Sequence, residues 1–201
     1  MRWQAGISGS SVNSESAVPK LTVEAIDNHI YFYSGVDSDR CLALIRSIRE
    51  LDSKLRNEHA TRGLPETHPL TPIWLHMESH GGALFSAFGV ADQIQKIKTP
   101  IYSVVEGFCA SAGTVISVSC SKRYITPNAF MLIHQLSNMA WGKYEEIKDE
   151  MKLMDMAMKN LIAVYTTKTK MSEEQVREYL KRDTWFNAKE CVRYGLVDAI
   201  L

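Results

Sequence analysis

From residue 37 to residue 55, apolar side chains recur at Leu42, Ile45, Ile48, Leu51 and Leu55. Steps of three and four residues predict a helix, with Asp37 or Ser38 available as its cap. A second such pattern covers residues 83–97, with Leu84, Phe88, Ala91, Ile94 and Ile97, and stops before Pro100. The longest covers residues 143–167, through Ile147, Met151, Met154, Met158, Leu161, Ile162 and Tyr165. Short apolar or β-branched runs lie between: two pieces within residues 22–35, then 73–77, 101–105, 123–126, 130–133 and 196–201. These read as strands. Ser172 opens a short helix with Gln175 in a capping box. Residues 187–194 form another helix, with Gly195 as its C-cap. Residues 56–72 are polar, carry three prolines and a glycine, and read as an exposed loop. His59 and His68 lie in it as solvated residues.

Strand and helix alternate, and a glycine-bearing turn follows several strands. This order predicts an α/β layered domain of repeated β-α units on a mainly parallel sheet. A long helical handle over about 143–167 joins it. Met stripes at helical spacing serve core or interface packing. A helix about 37 Å long has more apolar face than one domain covers, which implies packing against another subunit. Residues 1–20 are rich in Ser and Gly and read as a flexible N-terminal arm. A removable propeptide is the alternative. Residues 21–201 then form the folded domain, including the handle.

Composition narrows the classes. In 201 residues, Lys plus Arg and Asp plus Glu both number 23, so net charge is zero. No basic field marks a nucleic-acid binder. The apolar runs are too short to span a bilayer, and the first residues lack the apolar core of a secretory signal. The four cysteines form no C-x-x-C pair, which points away from a metal site and toward a reducing compartment. The expected location is cytoplasmic, or an organelle stroma or matrix if the arm is a processed remnant.

The candidate chemistry sits where strands end. In open α/β sheets the site collects at the carboxyl ends of strands, and Gly81-Gly82, Ser111 and His134 all fall there. Ser111 lies among Ala110, Ala112 and Gly113, between a strand and a helix. A serine there is either an N-cap or a nucleophile where backbone N–H groups favour negative charge. His134 closes an apolar strand and is the candidate base. Asp183 precedes Trp185 and Phe186 and is the candidate orienting acid. The N–H groups of Gly82 and Ala112 are the candidate oxyanion hole. Each is weak alone: a strand-end His is often a surface residue, and an Asp is often a cap.

Taken together, ESHGG at 78–82, GFCASAG at 107–113, PNAFMLIHQ at 127–135, RDTWFNAKE at 182–190 and YGLVDAIL at 194–201 resemble the ClpP family. That family is the proteolytic subunit of the ATP-dependent Clp protease. Its patterns are close to NSPGG, GQAASMG and PNSRVMIHQ, and Ser111 stands 30 residues after Gly81 as the family spacing expects. The resemblance runs from about residue 29 to 201, with 56–72 resembling an insertion.

The resemblance implies a ClpP/crotonase-type fold and a serine endopeptidase. Ser111 is then the nucleophile, His134 the general base and Asp183 the orienting acid, with Gly82 and Ala112 as oxyanion donors. It implies a heptameric ring, stacked in pairs through the 143–167 helix, that encloses a chamber for unfolded proteins and peptides. A mixed ring with related subunits is the variant. Trp74, Tyr124 and Leu201 fit the family's apolar docking pocket for a Clp-type ATPase. His76 and Lys96 stand where that pocket usually has aromatics. His80 replaces a proline and reads as a turn residue. LSNMAWGK follows Gln135 in place of the family's Pro and Gly-Gly, and the arm does not resemble an axial gating loop. No cofactor is expected in this chain. It lacks G-x-x-x-x-G-K-[ST], so ATP hydrolysis falls to a separate partner.

Other readings remain: a catalytically silent ring subunit, a phage-type processing protease that needs no ATPase, and an acyl-CoA enzyme of crotonase type. The last needs no Ser–His pair.

Overall fold

The computed structural model describes residues 23–65 and 67–201. The predicted arm, residues 1–20, lies outside the described residues. The chain opens with an antiparallel hairpin, β1 (Val23–Ile26) and β2 (His29–Tyr33). Then come α1 (Ser38–Thr61), β3 (Ile73–Ser79), α2 (Leu84–Lys96), β4 (Ile101–Ala110) and α3 (Ala112–Val118). The second half holds β5 (Lys122–Ile125), β6 (Phe130–Ile133), α4 (Tyr144–Lys168) and α5 (Glu173–Leu180). It ends with β7 (Thr184–Asn187), α6 (Ala188–Tyr194) and β8 (Ala199–Ile200).

Strand order in the sheet is β1-β2-β3-β4-β5-β8, with β6 pairing β4 and β7 pairing β6. Every pairing from β2 to β8 along this path is parallel, as is β4 with β6. The pairs β1–β2 and β6–β7 are antiparallel. This is the α/β fold the β-α alternation predicts. Among the described residues no helix is long and apolar enough to cross a membrane.

The core follows from strand alternation. In β3, Ile73, Leu75, Met77 and Ser79 are buried, while Trp74, His76 and Glu78 on the other face are half-buried. Against the inner face pack Leu44, Ile48, Leu51 and Leu55 of α1 and Ala87, Val90, Ala91 and Ile94 of α2. Asp37 is the cap of α1, its Oδ1 accepting from Arg40 N at 2.8 Å.

Several boundaries differ from the sequence expectation. Helix α1 runs on to Thr61, so the loop shrinks to 62–72 and His59 sits on a helix. The residues 56–61 are polar but contain no Gly or Pro, so nothing stops the helix before Gly63. Strand β4 reaches Ala110 rather than Val105, because Phe108, Cys109 and Ala110 find a new partner in β6. Residues 183–187 show no period long enough to assign, yet Thr184–Asn187 pair with β6. The last strand contracts to two residues, with Leu196 and Val197 buried ahead of it. Only Ala157, Leu161, Ile162 and Tyr165 of α4 are buried, all in its second half. Residues 137–149 are exposed throughout, with Met139 93% and Trp141 96% exposed.

A buried carboxylate joins the helical layer to the sheet. Asp52 on α1 accepts from Thr99 N at 3.0 Å and Thr99 Oγ1 at 2.7 Å. Thr99 precedes β4 and is itself buried. Removing the acceptor strands two buried donors. Asp52→Ala is therefore expected to lower unfolding free energy by about 2–3 kcal/mol. Asp52→Asn, which keeps one acceptor oxygen, should lose less, as read from urea midpoints.

Candidate active site

Strand β4 changes partners along its length. Its first part pairs with β5 over Tyr102–Val105, and its last part with β6 over Phe108–Ala110. Against β3 the register passes from Met77↔Val105 to Ser79↔Cys109, so β4 advances four residues while β3 advances two. Such a bulge bends the strand and re-aims the residues beyond it. Ser111 stands at the end of this bent strand.

Ser111 has φ 54° and ψ −126°, a left-handed conformation rare outside glycine. Strain of this kind costs on the order of 1–3 kcal/mol and persists only where the surroundings hold it. Here Ser111 N donates to Leu132 O at 2.8 Å, continuing the β4–β6 ladder. Ser111 occupies the N-cap position of α3, but its side chain makes no capping bond. Of the two uses open to this serine, the cap is thus not realised.

His134 follows β6 directly, so Ser111 and His134 stand at the carboxyl ends of neighbouring parallel strands. On the far side of β6, Ile133 pairs with Thr184 of β7. The pairing ends there, and His134 and Asp183 are the next residues along the two strands. Ser111 and His134 line one cavity of about 290 Å³, together with Gly82 and Ala112. Met154, Leu161 and Tyr165 of α4 close another side of it. Asp183 is exposed and does not line the cavity. Among the described residues, no side-chain hydrogen bond joins Ser111 to His134 or His134 to Asp183.

The glycine turn is built against the serine. Gly81 has φ 84° and Gly82 φ 143°. A Cβ on Gly81 would stand 2.7 Å from Ser111 Cβ, and one on Gly82 would stand 2.2 Å from Val36 O. Val36 N donates to Gly81 O at 2.8 Å, and Ala83 N donates to Val36 O at 2.7 Å. The N–H groups of Gly82 and Ala112 donate no hydrogen bond among the described residues. The ring of His80 leaves the turn and packs 4.6 Å from that of Phe108.

The remaining sequence candidates lie elsewhere, on the less buried face of the sheet. Trp74 and Tyr124 are 5.6 Å apart between ring centroids, with Tyr102 at 5.3 Å from Trp74. Leu201 is exposed beside β5, its N donating to Ile125 O at 3.0 Å. Sequence reasoning missed Tyr102 and Tyr31, although their outward positions follow from alternation. His76 stacks on Tyr31 at 4.6 Å, and its Nε2 meets His29 Nδ1 at 2.9 Å. Its Nδ1 donates to Glu106 Oε1 at 3.0 Å, and the Tyr33 hydroxyl donates to the same carboxylate. Burial, then the neighbouring His76, holds His29 below the usual histidine range.

The family model described as Clp protease matches residues 28–201. The chain belongs to the Clp protease family. It is 29% identical over 198 residues to the ATP-dependent Clp protease proteolytic subunit 1 of Protochlamydia amoebophila, covering 94% of this chain and 90% of that relative. It is 34% identical over 154 residues to proteolytic subunit 2 of Tropheryma whipplei, covering 75% and 86%. Proteolytic subunit 1 of Chlamydia trachomatis is 33% identical over 139 residues, or 67% and 72%. In this Clp-family chain the four cysteines are all free and buried. Burial pushes the thiols of Cys120 and Cys191 up to about 12, and that of Cys41 up to about 11.

This geometry carries two expected outcomes. Gly82→Ala forces a Cβ into the Val36 carbonyl, and should lower stability by about 2 kcal/mol or more in a urea titration. Thiol reagents should label the native protein slowly at pH 8 and label all four cysteines once urea unfolds it.

Proposed function

We propose that this chain is a serine endopeptidase of ClpP type. The observation that carries the reading is the alignment of Ser111, His134 and Asp183 at the ends of β4, β6 and β7, three strands paired side by side. Ser111 Oγ attacks the substrate carbonyl while His134 takes its proton. Asp183 orients the imidazole and stabilises its charged form. The tetrahedral oxyanion accepts from the N–H groups of Gly82 and Ala112, which have no other partner among the described residues. One such donor is worth about 3 kcal/mol of transition-state stabilisation. His134 then protonates the leaving amine, and water resolves the acyl-enzyme by the same steps. The imidazole ring carries no side-chain bond among the described residues, which leaves it free to turn onto Ser111 Oγ.

The assembly proposed is a ring, heptameric by family resemblance and stacked through α4. The exposed Met139, Trp141, Tyr144, Met151 and Met156 support it. They are large apolar side chains that a single chain leaves in water. The cluster of Trp74, Tyr102 and Tyr124, with Leu201 nearby, is the proposed seat of a Clp-type ATPase. Substrates are unfolded chains and peptides able to enter the chamber.

The decisive measurement is intact mass after treatment with a fluorophosphonate. One adduct is expected on the wild type, none on Ser111→Ala, and at least a 1,000-fold slower reaction, as an order of magnitude, on His134→Ala. No adduct on an assembled wild type would favour the silent ring subunit instead. Light scattering should give a mass several times the 22.7 kDa of one chain. A stable monomer at micromolar concentration would overturn the assembly.

A further inference from the structure

Next to Ser111, two buried hydroxyls, those of Thr114 and the cavity-lining Tyr165, form a chain onto its carbonyl. Thr114 Oγ1 donates to Ser111 O at 2.6 Å, and Thr114 N donates to the same oxygen at 3.0 Å. Tyr165 OH lies 2.6 Å from Thr114 Oγ1. Thr114 is 0% exposed and Tyr165 1%. The proton count fixes the direction. Thr114 has one hydroxyl proton and directs it to Ser111 O, so Tyr165 must donate to Thr114 Oγ1. Burial raises the phenol well above its ordinary range, so Tyr165 keeps the proton it donates.

The carbonyl of Ser111 is half of a peptide unit whose other half is the N–H of Ala112. That unit is planar and trans, so its C=O and N–H point in opposite directions. Any group that fixes the direction of Ser111 O therefore fixes the direction of Ala112 N–H. The rotation that would swing both is ψ of Ser111, which is held at −126° in a residue already forced to φ 54°. A strained torsion needs an external hold, and here two donors converge on one oxygen. Donation onto the carbonyl also polarises the peptide and strengthens its N–H as a donor.

We propose that Thr114 and Tyr165 are positioning residues that lock the Ser111–Ala112 peptide plane and aim the Ala112 N–H at the oxyanion. Tyr165 belongs to α4, so the lock ties the long helix to the geometry of the reaction. The inference rests on the serine peptidase reading, and it adds two residues that act through the Ser111–Ala112 peptide rather than on the reacting atoms. Neither was singled out by sequence: a Thr in an apolar helix and a Tyr in an apolar stripe both read as core.

The test is steady-state cleavage of a short fluorogenic peptide, with the rate of fluorophosphonate labelling alongside. Thr114→Val keeps the shape and removes both side-chain bonds. It should lower kcat by roughly 10- to 100-fold, less than the loss of a whole oxyanion donor, with KM within about twofold. Labelling should slow in parallel. Tyr165→Phe leaves the threonine bond in place and should lose several-fold, about 3- to 10-fold, on the same scale. Thr114→Ser restores the hydroxyl and should return kcat to within about twofold of wild type. The double variant Thr114→Val/Tyr165→Phe should match Thr114→Val, because the pair acts as one chain.

A folded Thr114→Val or Tyr165→Phe with wild-type kcat and labelling rate would overturn the inference, as would a change confined to KM. If Thr114→Val unfolds, Tyr165→Phe and Thr114→Ser decide the matter by the same criteria. A wild type that neither cleaves nor labels would defeat the peptidase reading itself, and this inference with it. A wild type that does both, with variants unchanged, would defeat this inference alone.

Discussion

One strand serves two ladders, and the rest of the molecule is arranged around that fact. Strand β4 begins in the central parallel sheet, beside β3 and β5, and finishes beside β6. A strand of even register could not do this. The extra residues around Glu106 and Gly107 take it out of line with β3 and let its end meet β6. Because β6 also carries β7, the fork lines up three strand ends in one place. Ser111, His134 and Asp183 come from sites far apart in sequence, yet each adjoins a strand whose position is set by backbone pairing. Placement of this kind is robust, because a one-residue slip of β6 would turn the buried Met131 and Ile133 to the other face.

Much of this was legible in the sequence. The helical periods at 37–55, 83–97 and 143–167 located α1, α2 and α4, and the strand runs located β3, β5 and β6. The coincidence of Gly82, Ser111 and His134 at strand ends follows from the α/β order alone. The fork in β4 was not legible. Phe108, Cys109 and Ala110 look like a small-residue turn, and only a partner strand turns them into a ladder. Strand β7 was hidden for the same reason: TWFN is too short to show a period, and its pairing lies across more than 50 residues of chain. The reach of α1 to Thr61 was hidden because a polar helical turn and a polar loop share a composition. Thr114 and Tyr165 were hidden because hydroxyls inside an apolar stripe show their partners only in three dimensions.

The surface carries two apolar regions of different character. Along the first half of α4 and the segment before it, large apolar side chains are largely exposed, with Met139, Trp141 and Met151 among them. On the sheet face, by contrast, Trp74, Tyr102 and Tyr124 are half-buried and packed against one another. The first presents separate side chains to water. The second is packed within the chain itself, and its rim is polar: His29, His76, Glu106 and Tyr33 form a continuous hydrogen-bonded row across β2, β3 and β4. The aromatic floor and the polar row lie side by side on one face of the sheet.

The turn at Gly81 and Gly82 is held to Val36 through main-chain atoms only, in both directions. Contacts of that kind are blind to the side chain at position 36, which answers only to the core behind it. Mutational drift can therefore exchange Val36 for another residue of similar volume without moving the turn. The tolerance is one-sided. Gly82 faces the carbonyl of Val36 with no room for a single added carbon, so the same short contact that forgives change on one strand forbids it on the other.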